Sequence, residues 1–112
     1  MSNIEQKVFI ANAGAHDYTD ASRYGTVIFV TKGTLAKFGV GLMARKWADA
    51  LRDSGPNDLI VASSLTTLCA IGAGMFARKH GCLNLLLFRN GKYMERRLML
   101  DQLMEVYNEE EV

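Results

Sequence analysis

Asp58-Leu-Ile-Val-Ala-Ser-Ser-Leu-Thr-Thr-Leu-Cys-Ala-Ile-Gly-Ala-Gly-Met-Phe-Ala-Arg-Lys-His-Gly81 decides how the rest of the chain is read. Leu59 to Ala62 is a short apolar run of the kind that forms a buried strand. Four hydroxyls follow, on Ser63, Ser64, Thr66 and Thr67. An apolar run from about Leu65 to His80 then reads as a helix, closed by Gly81 as its C′ glycine. In an α/β protein such a strand-turn-helix junction is where backbone N–H groups and the positive end of a helix can meet a phosphate or carboxylate. No Walker sequence, G-x-G-x-x-G or metal-ligand spacing accompanies it.

Outward from this unit, Lys7 to Ala11 and Thr26 to Thr31 are β-branched, nearly continuous apolar runs, which predicts strands covered on both faces. Between them Asn12 to Gly25 is polar and glycine-punctuated, a candidate binding loop in which Thr19 to Tyr24 can close one helical turn. From Val40, apolar residues at Met43, Ala44, Trp47, Ala50 and Leu51 follow helical spacing, and Ser54-Gly-Pro-Asn57 ends that helix. Leu83 to Arg89 and Lys92 to Met99 flank Asn90-Gly91, the strongest short signal for a type I′ hairpin. Asp101 is placed to cap a last helix through Tyr107, before an acidic tail at Glu109 to Glu111.

The 112 residues are 49% hydrophobic, enough for one core and hence one domain over residues 1–112. Thirteen basic against twelve acidic residues leave a charge of +1, so no global field draws the chain to long nucleic acid or membrane. No apolar run approaches the roughly 20 residues that cross a bilayer, and no signal core opens the chain. Cys69 and Cys82 lack C-x-x-C pairing and suit a reducing cytoplasm. No cofactor is expected.

Three loops that follow apolar strands should converge at one sheet edge. Ser64 is placed to cap the helix by accepting from the N–H of Thr67, and that role alone accounts for one hydroxyl. Ser63, Thr66 and Thr67 either serve the same local purpose or bind an anion. His16 could be a general base or a phosphate contact oriented by Asp17 or Asp20; the plainer reading is a solvated turn. Lys32 supplies a cation past the second strand. Arg45, Lys46, Arg96 and Arg97 read as solvated faces, and His80 as a cation complementing the helix dipole. Gly72 and Gly74, inside a helix apolar nearly all round and so expected to be buried on more than one side, imply close packing on the sheet or against a helix of a homodimer.

With Ile60-Val-Ala-Ser-Ser-Leu-Thr-Thr-Leu68 and Leu85-Leu-Leu-Phe-Arg-Asn-Gly-Lys-Tyr93 in view, the second half resembles a CARF domain, the CRISPR-associated Rossmann fold. In size the chain is similar to small stand-alone ring nucleases and to small α/β proteins of phages and mobile elements. The resemblance implies a single small Rossmann-like α/β domain: a mostly parallel sheet flanked by helices, ending in an antiparallel hairpin and a C-terminal helix. It also implies a homodimer binding a nucleotide, cyclic oligonucleotides included, through Ser63, Ser64 and Thr66. The expected function is antiviral defence or counter-defence, by sequestration or by metal-independent phosphodiester cleavage with His16 and Lys32 as catalytic groups. The alternative is a non-enzymatic regulatory or inhibitory protein with an apolar contact patch at Tyr93, Met94, Leu103, Met104, Val106 and Tyr107.

Overall fold

The computed structural model describes residues 6–14, 17–33, 39–63 and 65–110. The strands are β1 (Lys7–Ala13), β2 (Thr26–Lys32), β3 (Leu59–Val61), β4 (Cys82–Arg89) and β5 (Lys92–Met99). The helices are α1 (Val40–Ala50), α2 (Thr66–His80) and α3 (Leu100–Glu110), with a 3-10 helix at Thr19–Tyr24 between β1 and β2. The strands form one mixed sheet in the order β2-β1-β3-β4-β5, parallel except for the antiparallel β4–β5 hairpin. The chain is thus an α/β protein.

The path explains which face each helix covers. A right-handed crossover from β1 out to β2 lies on one face, whereas those from β2 to β3 and from β3 to β4 run the opposite way and so lie on the other. Accordingly Phe9, Ala11 and Ile60 pack with Trp47 of α1 and Phe76 of α2. Val8, Ile10, Leu59, Val61 and Leu86 pack with Ala21 of the 3-10 helix and with Tyr93. β1 sits centrally and is buried from Val8 to Ala11, as a strand covered on both faces should be. β2 is an edge strand and is covered more loosely, with Ile28 and Val30 packed on the α1 and α2 side and Val27 and Phe29 against the other cluster and Tyr18.

Trp47 is the largest fully buried side chain, and its indole N–H donates to the carbonyl of Leu68 at 2.8 Å. Gly72, one turn along α2, faces the same indole. The glycine therefore serves a helix-to-helix approach within the chain. Gly74 has open space where a side chain would stand. α2 buries one stripe, Leu68, Gly72 and Phe76, and exposes Gly74, so it is not buried on several sides as expected.

The amino ends of the strands carry structural polar groups. Lys79 Nζ donates to the carbonyls of Leu51 (2.6 Å) and Arg52 (3.0 Å), a cation on the last turn of α1. His80 Nε2 lies 2.8 Å from Ser54 Oγ, which itself donates to Leu51 O. His80 lies in the last turn of α2, where burial, and then the neighbouring Lys79, lower its pKa from the ordinary imidazole value. Asp101 lies within the first turn of α3, not at its cap.

Asn90 and Gly91 both have positive φ, 52° and 80°, as a type I′ turn requires. A valine at position 91 would force a β-branched residue into that region. Gly91→Val should cost about 1 to 2 kcal/mol in urea unfolding.

The 3-10 helix also grips β5, although β3 and β4 separate β1 from β5 in the sheet. Asp20 accepts from the backbone N–H of Tyr93 at 2.8 Å, and Tyr24 Oη (2.7 Å) and Arg23 (3.2 Å) donate to its carbonyl. The twist natural to a sheet is the general means by which such distant strands approach one element.

Candidate functional site

A cleft of about 350 Å³ opens at the carboxyl end of β3, on the face covered by the 3-10 helix. Its floor is Val61, Ala62 and Ser63, where β3 leaves the sheet. Asp17 and Tyr18, from the loop after β1, form one wall, and Phe88 and Tyr93 of the hairpin form the other. β1 leads out to β2 and β3 leads away from it, so the strand order reverses between them. Ligands of open α/β sheets bind at that reversal, beyond the carboxyl ends of the strands.

Local chemistry fixes each group. Asp17 accepts from both the hydroxyl and the N–H of Thr19, the Asx turn that opens the 3-10 helix. Those bonds, the hydroxyl's first, hold its carboxyl below the usual range, so it is ionised at neutral pH. Burial raises the phenols of Tyr18 and Tyr93. For Tyr93 the Tyr18 phenol and the carboxylates of Asp20 and Asp17 add to it. Both phenols stay protonated. Ser63 Oγ accepts from Leu65 N–H at 3.3 Å, which leaves its proton to donate.

The rings give the cleft its shape. Phe88 and Tyr93 are cross-strand partners with centroids 5.0 Å apart, tilted by 59°. Tyr18 makes an edge contact with Phe29 of β2 at 6.0 Å. A flat apolar ring can rest on this surface, with hydroxyl donors and one carboxylate to orient it.

Of the residues singled out from sequence, Asp17 and Ser63 meet in the cleft. His16 and Ser64 lie outside the described residues. Thr66 and Thr67 are exposed on the first turn of α2 and do not line the cleft. Lys32 is exposed at the carboxyl end of β2, on the face of Ile28 and Val30, which pack under α1 and α2. It thus stands on the opposite side of the sheet from the cleft. Tyr93, expected in an exposed contact patch, is buried at the cleft wall, and the side chains of Val106 and Tyr107 fall outside the description.

The loop that carries Tyr18 was expected at this edge, but Phe88 and Tyr93 as cleft walls were not, although a two-residue turn at Asn90-Gly91 makes them cross-strand neighbours. No group of three or more His, Cys, Asp or Glu that could hold a metal occurs among the described residues. Nor is any helix there long and apolar enough to cross a membrane. The class these features define is a mixed-sheet α/β protein with an aromatic cleft at its strand-order reversal. No family, curated protein or solved structure matches the chain.

Proposed function

We propose that the chain is a small Rossmann-like domain that binds a nucleotide, with the base against Tyr18, Phe88 and Tyr93 and the phosphate towards Ser63 and the β3–α2 turn. The observation that carries this reading is the cleft itself, which joins an aromatic wall to a hydroxyl at the strand-order reversal. Stacking of a base on an aromatic side chain contributes about 1 to 3 kcal/mol. Binding fits better than cleavage, because Lys32 stands on the far face. Sequestration of a nucleotide, in the antiviral defence or counter-defence that the CARF resemblance implies, requires only such binding.

The test is thermal unfolding with adenosine, mononucleotides, cyclic oligonucleotides and inorganic polyphosphate. A ligand at a hundred times its Kd should add about 2.7 kcal/mol. Phe88 is 58% exposed, so Phe88→Ala should leave the fold intact while weakening a true ligand by about 1 to 3 kcal/mol. Ser63→Ala should weaken mononucleotides and spare adenosine. A flat response across the panel would sink the reading. It would leave the regulatory alternative, which the exposed apolar side chains of β5 and α3 favour.

A further inference from the structure

Leu87, Leu98 and Met99 on the hairpin and Leu103 and Met104 on α3 are large apolar side chains left exposed in one region of the molecule. Leu98 stands opposite Leu83, and Leu87 opposite Met94, on the face that α1 and α2 cover elsewhere. Those helices pack over β1, β2 and β4. α3 carries apolar residues at positions 100, 103 and 104, helical spacing for one stripe, and Leu103 and Met104 are about half exposed.

The outer edge of β5 is also unpaired by backbone among the described residues. Arg89 and Lys92 close the two-residue turn, so Tyr93, Glu95, Arg97 and Met99 direct their N–H and C=O groups outward. The 3-10 helix occupies those of Tyr93. Further along, the Glu95 carbonyl accepts from the guanidinium of its own neighbour Arg96 at 2.8 Å, a side chain standing where a strand could pair.

We infer that a second copy of the chain pairs residues 94 to 98 of its own β5 antiparallel to this edge across a twofold axis, stopping short of the Tyr93 groups that the 3-10 helix occupies. Charge selects the register. With the axis at Arg96, Glu95 faces Arg97 of the second copy, Arg97 faces its Glu95, and Met94 faces its Leu98. Moving the axis one residue either way sets Arg97 against itself or Glu95 against itself. The chosen register brings the two Arg96 side chains together, but they are exposed, where solvent screens like charges. Charged edge strands ordinarily deter pairing; alternating signs instead make this edge complementary to its own copy. A twofold contact of this kind is isologous, so each favourable pair occurs twice. The paired residues stop short of Tyr93, which lines the cleft, and the contact does not depend on nucleotide binding.

Sedimentation velocity on the full chain, Glu95→Arg, Arg97→Glu and an equimolar mixture of the two variants tests this. The full chain should be a dimer at micromolar concentration. Each variant sets like charges opposite each other twice and should weaken the dimer by about tenfold or more. Both side chains are about one-third exposed, and circular dichroism should show each variant folded. The mixture should form a one-to-one heterodimer, since an all-basic pair then faces an all-acidic one; a purely internal ion pair makes no such prediction. A monomeric full chain at high micromolar concentration, variants that stay dimeric, or a mixture that fails to associate would each overturn the inference.

Discussion

Gly72→Ala should destabilise the protein by about 2 to 3 kcal/mol, even though alanine in a helix interior ordinarily gains about 1 kcal/mol over glycine. A methyl group at position 72 would fall inside the van der Waals envelope of the Trp47 indole. The ring cannot easily move aside. It is wholly buried, lies against Phe9 with centroids 6.5 Å apart, and is tied by its N–H to Leu68 O. The control is two residues away. At Gly74 an added Cβ meets nothing within 4 Å, so Gly74→Ala should stabilise by up to about 1 kcal/mol. Urea unfolding of both variants should therefore give shifts of opposite sign in one helix. Equal shifts would mean that the Trp47 contact does not set the spacing of α1 and α2. Trp47→Leu combined with Gly72→Ala should cost less than the sum of the two single changes, because the smaller side chain relieves the clash.

This pair also shows how far a sequence carries a glycine. Two glycines in one helix imply close approach somewhere, because each weakens the helix unless something offsets it. Which glycine is approached, and by what, depends on how α1 is rotated about its axis. The periodicity from Val40 to Leu51 places Trp47 on the inner stripe, but nothing local says that its indole reaches across to α2 instead of down onto the sheet. The regular elements were legible for a simpler reason. β1, β3, α2 and the hairpin are each marked by apolar period or by a terminal residue of restricted conformation, as Gly81 is at φ 73° and Gly91 at φ 80°. β2 reads as doubly covered because it is apolar throughout, and it packs on both faces, but its place at the sheet edge and its partial exposure follow from strand order, which no local run encodes.

The site was legible in part for the same physical reason. That Ser63 and Asp17 share one end of the sheet follows from β1 and β3 being parallel, and the apolar character of both strands implied it. Lys32 ends its strand at the same edge, but alternation along β2 turns its side chain to the opposite face. The pairing of Tyr93 with Phe88 was legible in the turn, but its burial was out of reach for another reason. Its burial comes with the approach of the 3-10 helix to the hairpin, where Ala21 packs in the same cluster and Asp20 and Tyr24 close the Tyr93 backbone. Such long-range closure is set by the whole core and leaves no mark in the residues around Asn90-Gly91.

Asp58→Ala should be the most damaging single change at the opposite end of the sheet, costing roughly 3 to 5 kcal/mol. Asp58 is 4% exposed, and its two carboxylate oxygens are divided between separate segments. Oδ1 accepts from the N–H of Lys7 at 2.9 Å, where β1 begins, and Oδ2 accepts from the N–H of Gly55 at 2.8 Å, in the turn after α1. Its own carbonyl accepts from the Asn84 side chain at 2.9 Å, which also holds Pro56 O at 2.7 Å. One residue thus joins the starts of β1, β3 and β4. Truncation removes two hydrogen bonds to the Asp58 carboxylate and leaves two half-buried N–H groups without that partner, and each loss is worth about 1 to 3 kcal/mol. Asp58→Asn should cost about half as much, because the amide oxygen can satisfy one donor while its NH₂ faces the other. Asp49, an exposed carboxylate paired with Arg52, supplies the contrast: Asp49→Ala should change stability by less than about 0.5 kcal/mol. Urea unfolding in which Asp58→Ala and Asp49→Ala cost the same would show that the carboxylate at 58 fastens nothing. The cleft lies at the far ends of the strands, so any nucleotide affinity should survive Asp58→Asn wherever the fold does, and loss of fold and loss of site can be told apart.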